Sequence, residues 1–469
     1  MDAMKKFIAL FMSLVCVVCA LGCGSDNKES SDISAVSDPS GKSASFAGTL
    51  VKAVYPDQAA LPLEDDFVKE NGEFDFDAYE KAYQAYNLQN EARQNALAGY
   101  NGELDGFFSR SILQFLCDGS EGEHVFSPVN IYLALALLAE VTDHNSRAQI
   151  LDLVGADSIE DLRTQAAGIW TALYQDNVAV KCLLGNSIWL RDDTEYNKDT
   201  LEKLASYYYA SSFSGKMGDE AFSQALRDWI NEQTGDLLKD SAKDLSFTPD
   251  TVCALASTLY FKGKWSDEFD KGATAENVFH GEEGDENRPF MKSSELGTYW
   301  KGSNYSAVKK SFESSDCNMW FFLPDEDVSV DEMLNDREMQ SFLLSADKYS
   351  FEGSKDLTIN LSVPKFDVSC DLDLKDGLIQ MGVSDVFDYN VSDFSPLTQA
   401  VDKLFVSSAK HSARVMIDEE GCEAAAFTVM MVEATGMITT DEIDFVLDRP
   451  FFFAVTGAGE LPLFAGIIK

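Results

Sequence analysis

The residues able to do chemistry are few, and their spacing suits no familiar reaction. Four histidines occur, His124, His144, His280 and His411. None has the H-E-x-x-H spacing that sets two imidazoles on one helix face for zinc. No G-x-S-x-G elbow presents a serine nucleophile. No Gly-rich stretch fits a phosphate or dinucleotide cradle. No Cys/His pair has zinc-finger spacing, and acidic runs such as Asp66-Phe67-Val68-Lys69-Glu70 make no calcium loop. Active sites are built in space, so these absences weigh little alone. Of nine cysteines, Cys16 and Cys19 lie in the N-terminal apolar run. Cys117, Cys182, Cys253, Cys317, Cys370 and Cys422 have no short paired spacing, and most sit in apolar context. They read as buried thiols rather than a disulfide framework.

Asp418 to Pro450 suggests chemistry of another kind, a change of conformation. After Asp418-Glu419-Glu420-Gly421, a period of two puts Cys422, Ala424, Ala426, Thr428, Met430 and Val432 on one face. Glu423, Ala425, Phe427, Val429, Met431 and Glu433 fall on the other. The first face is small, then apolar, and carries no charge, as a strand entering a tightly packed sheet requires. Yet Gly and three alanines are poor strand formers, so the segment is not held extended by its own preference. A lone Ala-Ala-Ala would by itself favour helix.

The elements that position this stretch begin with residues 1–22. Lys5 and Lys6 precede an apolar run, Phe7 to Leu21, too short to span a bilayer comfortably and flanked like an export leader. Ala20-Leu21-Gly22-Cys23 resembles a bacterial lipobox. It implies lipidation of Cys23 and anchoring at the cell envelope or surface, with ordinary secretion as the alternative. Residues 23–48 are rich in Ser, Asp and Gly and read as a tether. Residues 49–102 form an extension, helical from about Asp77 to Ala98, where Tyr79, Ala82, Tyr83, Tyr86 and Leu88 fall at loose helical spacing. The domain spans 103–469. With 45% hydrophobic residues the chain can bury a large core. A net charge of −42 argues against nucleic acid, against electrostatic docking on anionic lipid and against a heparin-type cofactor.

From Glu103 onward many spaced motifs resemble one family, the serpins, in one order. Phe126-Ser127-Pro128-Val129-Asn130-Ile131 is similar to the segment opening the family's second helix, with Ser127 suited to cap it and Pro128 to its first position. Asn186 to Leu190 resembles a main-sheet strand, and Trp229-Ile230-Asn231 with Thr234-Gly235 a helix. Leu255 to Trp265, Val363-Pro364-Lys365-Phe366, Asp393-Phe394-Ser395, Asp448-Arg449-Pro450-Phe451 and Pro462 to Gly466 complete the series. Glu419, Gly421, Cys422, Glu423, Ala424, Ala425 and Ala426 match the family's hinge, with Cys422 standing for the usual Thr.

The resemblance implies an α+β serpin fold, about nine helices and three β-sheets, with an exposed reactive loop at about 418–448. It implies a monomeric suicide-type inhibitor that forms covalent complexes with serine, or cysteine, proteases. Together with the missing motifs it sets the expectation of no enzyme, no metal and no cofactor. It also implies a polar shutter of Ser127, Asn130, Ser257 and His411, in which the usual Ser and Asn are exchanged between positions 130 and 257. Counting from the hinge gives Thr435-Gly436 as the scissile bond. The loop is longer than usual, so Met437-Ile438 is the runner-up and Met431-Val432 a distant third. No Arg or Lys lies between Gly421 and Asp448, which favours an elastase- or subtilisin-like target over a trypsin-like one. The alternative is a non-inhibitory member acting as a binding or storage protein.

Overall fold

The computed structural model describes residues 13–21 and 48–469, apart from 54, 56–58, 60–61, 70, 98–100, 118–121, 178–179, 236–241, 314–315, 346–347, 349–350 and 423–440. Numbering follows the chain. The main sheet has the order β13 (Asp367–Asp373), β14 (Leu404–Met416), β1 (Ser13–Leu21), β7 (Thr251–Lys264), β5 (Val180–Arg191), β6 (Ala210–Gly215) and β2 (Thr49–Val51). β4 (Gln175–Asp176) adds to β5, and β15 (Gly421–Cys422) to β7. A second ladder runs β16 (Glu442–Val446), β12 (Ser354–Pro364), β9 (Gly284–Lys301), β10 (Tyr305–Ser311), β11 (Asn318–Pro324), β17 (Phe451–Thr456), β18 (Pro462–Ile468) and β3 (His124–Phe126). There β8 (Ala275–Gly281) pairs with β9. The long β9 joins two sheets in one ladder: Phe290–Trp300 pair with β12, and Tyr299–Lys301 with β10.

Ten α-helices occur among the described residues: α1 (Phe76–Asn95), α2 (Asn101–Leu116), α3 (Pro128–Val141), α4 (His144–Val154), α5 (Ile159–Leu173), α6 (Lys198–Tyr207), α7 (Glu220–Gln233), α8 (Val330–Leu334), α9 (Arg337–Leu344) and α10 (Lys375–Gln380). The α+β arrangement with three sheets is the one expected from the sequence.

Local signals explain the element that supports the main sheet. Ser127 caps α3, its Oγ accepting the Asn130 backbone N–H at 3.2 Å, and Pro128 begins the helix. Every residue of α3 is buried, as an all-round apolar helix demands. The second ladder is packed with large rings. Trp300, Trp320, Tyr305 and Phe322 surround Phe342 of α9, with centroids 5.6 to 6.2 Å from its ring.

The extension is fastened at separate points. β2 pairs with β6 and forms the edge of the main sheet, and Tyr55 stacks on Trp170, Tyr174 and Tyr209. In α1, Arg93 is buried; its Nε donates to the Ala172 carbonyl at 3.1 Å, and its guanidinium lies 3.4 Å from Asp316.

Candidate functional site

At the end of β14 the chain reverses in a tight turn. Asp418 N donates to the Gly421 carbonyl at 3.0 Å. The Asp418 Oδ1 accepts from the backbone of Glu420 at 2.9 Å and of Gly421 at 3.1 Å. This is the local self-bonding that makes Asp a turn residue. Gly421 and Cys422 then pair with Lys264 and Gly263 of β7. A Cβ at Gly421 would lie 2.2 Å from the Gly263 carbonyl oxygen, so only glycine lets the two backbones meet. The resemblance placed Gly421 in the hinge; close approach of two backbones is a requirement that the sequence did not reveal. Cys422 is buried at 5% exposure.

Residues on three other segments hold this turn. Glu419 accepts from Lys365 Nζ at 2.6 Å and from Thr274 Oγ1 at 2.8 Å. Burial opposes its charge, but the bonds to Lys365 and Thr274 outweigh that and hold its pKa below the ordinary value. Trp265 Nε1 donates to the Asp418 carbonyl at 2.9 Å, and Lys271 pairs with Glu420. Lys365 and Trp265 lie in motifs visible in the sequence, but no spacing connects them to residues 418–420.

Ser127, Asn130, Ser257 and His411 are all buried beneath or within the main sheet. The Ser127 backbone N–H donates to His411 Nε2 at 2.9 Å, so this ring nitrogen is an acceptor and the imidazole sits as a bonded core histidine. Ser257 and His411 stand on β7 and β14. Both are register partners of Val15 in β1, one on each side. An intervening strand therefore separates them, and Ser257 Oγ has no hydrogen-bond partner among the described residues.

The remaining expected site residues, Glu423, Ala424, Ala425, Ala426, Thr435, Gly436, Met437, Ile438 and the lipidation candidate Cys23, lie outside the described residues. Beyond the loop, Asp441 accepts from Thr358 N at 3.0 Å, and β16 runs parallel to β12. The loop thus leaves the main sheet at Cys422 and rejoins the second ladder at Asp441. Among the described residues no cluster of His, Cys, Asp or Glu is arranged to hold a metal ion, and no helix is long and apolar enough to cross a membrane.

Comparison with known proteins places this geometry in context. Residues 104–469 match the family model described as Serpin (serine protease inhibitor). Serpin-Z2B of Oryza sativa subsp. japonica is 27% identical over a 402-residue alignment that covers 79% of this chain and 97% of that protein. The thermophilic serpin tengpin, in its native state, superposes with a TM-score of 0.69 at 25% identity, covering 79% of this chain and 94% of tengpin. Human thyroxine-binding globulin complexed with thyroxine shares the fold, with a TM-score of 0.66 at 22% identity over 78% of this chain and 97% of that one.

Proposed function

The chain belongs to the serpin family, and from that premise we propose that it is a suicide-type inhibitor of serine or cysteine endopeptidases. The observation that carries this reading is the start of the hinge. Gly421 and Cys422 are already in antiparallel register with the top of β7, and the residues that follow on the same face are small and uncharged. Each further step along the arm moves one residue back along β7. Ala426 to Val432 would then lie opposite Leu259 to Cys253, with Thr428 opposite Ser257.

The mechanism follows from that register. A protease attacks the loop and forms an acyl-enzyme. Cleavage releases the loop's N-terminal arm from its anchor at Asp441. The arm enters the main sheet as a new strand, gaining ladder hydrogen bonds and buried apolar surface. The tethered protease is carried along, and its catalytic geometry is lost before deacylation. The uncleaved state is thus held kinetically rather than by lowest free energy. The absence of basic residues from the loop favours elastase- or subtilisin-like targets, with Thr435-Gly436 as the scissile bond and Met437-Ile438 as the alternative.

The test is incubation with elastase, subtilisin and a papain-like protease. A complex that survives SDS, together with the sequence of the released peptide, supports the inhibitor and identifies its bond. Clean cleavage with no complex, of a chain beginning at Cys23 as well as of the full chain, favours a non-inhibitory binding or storage role. We further propose that lipid on Cys23 anchors the protein at the cell envelope or surface. Cys23→Ser is expected to release it from the membrane fraction; retention there would remove the lipid anchor from the account.

A further inference from the structure

The centre of the main sheet is filled by β1, a segment of the N-terminal apolar run. Leu14 to Leu21 pair antiparallel with Ser412 to Leu404 of β14, and Ser13 to Ala20 with Leu259 to Thr251 of β7. Among the described residues, β7 and β14 are joined through β1. The segment reads Ser-Leu-Val-Cys-Val-Val-Cys-Ala-Leu. It is uncharged and rich in valine, a strong strand former.

This is the track that the reactive arm would need. β1 and the hinge strand β15 both run antiparallel to β7, and therefore in the same direction. β1 begins opposite Leu259, five residues along β7 from the Lys264 that pairs with Gly421. The arm could advance beside Tyr260 to Lys262, as far as Ala425. Ala426 would then require the partner held by Ser13, and Thr428 the place of Val15 between Ser257 and His411.

We propose that residues 13–21 are an intramolecular plug: the chain that retains them is latent, and the chain that has lost them is competent for insertion. This rests on the inhibitory reading above. Hydrolysis of any peptide bond between Leu21 and Gly48 adds water across one amide and cuts the plug from the domain. The plug then loses the high effective concentration that its tether supplies and can leave the sheet. An inhibitor of this design stays silent until its leader is removed, sparing proteases encountered before export.

The experiment compares three proteins: the full chain, the full chain carrying Val17→Asp, and a chain beginning at Cys23. Amide hydrogen exchange across Thr251–Leu259 and Leu404–Ser412 reads the plug, and SDS-stable complex formation with elastase or subtilisin reads inhibition. The full chain is expected to protect both strands and to be cleaved without trapping protease. In the other two, exchange on the inner edges should rise by about tenfold or more, because a charge in the sheet centre, or the loss of the strand, opens the slot. Equal protection in all three proteins overturns the plug, as does equal complex formation by the full and shortened chains. Exchange that rises without any complex leaves the plug standing and removes the inhibitor reading instead. The chain beginning at Cys23 covers the case in which Val17→Asp fails to fold.

Discussion

The centre of the main sheet and the second ladder carry different side chains. Around the centre of the main sheet lie Ser127, Asn130, Asn186, Ser187, Ser257, Thr258 and His411, all buried. The second ladder is lined by Trp300, Tyr305, Trp320, Phe321, Phe322 and Phe451 to Phe453, equally buried. Interlocked rings occupy one low-energy arrangement and resist displacement. Small polar side chains can exchange one hydrogen-bond partner for another, so strands beside them can separate and pair again. The ring-packed ladder pairs with the chain at Asp441, while the polar sheet pairs with it at Cys422. The proposed strand insertion needs both, a fixed anchor and a seam that opens.

The largest effect that would break this contrast is cleavage itself. In a chain beginning at Cys23, nicking between Val432 and Asp441 is expected to raise the melting midpoint sharply. The inserted arm would bury Met430 and Val432, worth about 1.5–3 kcal/mol each, and add ladder hydrogen bonds at about 1 kcal/mol each. An unchanged midpoint would mean that the main sheet is as fixed as the second ladder.

Next in size is the rigid side of the comparison. Phe342→Ala removes the ring at the centre of the aromatic cluster and is expected to cost about 3–5 kcal/mol in denaturant unfolding. A loss below about 1 kcal/mol would show that this ladder also repacks freely.

A smaller effect belongs to the hinge anchor. Folding holds the Glu419 pKa below its ordinary value. The stabilisation is therefore complete above the ordinary carboxylate range, and it is lost as pH falls through the folded pKa. Protease susceptibility of the 418–422 turn should increase on acidification, and Glu419→Gln should flatten that dependence. A wild-type turn indifferent to acid would detach Lys365 and Thr274 from the anchoring role.

The smallest expected change is at Ser257, whose hydroxyl is buried and unbonded among the described residues. Ser257→Ala should alter the stability of the full chain by under about 1 kcal/mol, in the stabilising direction, since it removes an unsatisfied group. A clear loss in thermal melting would mean that the hydroxyl is bonded after all.

Short-range features were legible in the chain. The α1 helix read from about Asp77 to Ala98 is Phe76–Asn95, and Ser127 and Pro128 open α3 as their types require. The small, uncharged alternation after Gly421 depends on neighbours only, so it too could be read directly. The exchange of Ser and Asn at positions 130 and 257 was visible as well, but its consequence was not. Whether Ser257 and His411 meet depends on what lies between them, and Val15 is paired with both.

What the sequence determined by itself, then, is the set of local preferences: caps, periods, the leader-like apolar run, the hinge alternation and the absence of basic residues from the loop. Only the tertiary structure decided which distant segments share a wall. The apolar run from Phe7 to Leu21 suits an export leader, and its valine-rich part suits a strand equally well, because a leader asks for an uncharged apolar stretch and a buried strand for β-branched side chains. Its place between Thr251–Leu259 and Leu404–Ser412 is set by pairing across hundreds of residues. Arg93 reads as an ordinary helical surface charge until the Ala172 carbonyl and Asp316 close around it. Lys365 becomes the hinge's counter-charge only when the fold brings it to 2.6 Å from Glu419. Hydrogen bonds and charge pairs act over a few ångströms, and chain separation says nothing about which groups will come that close.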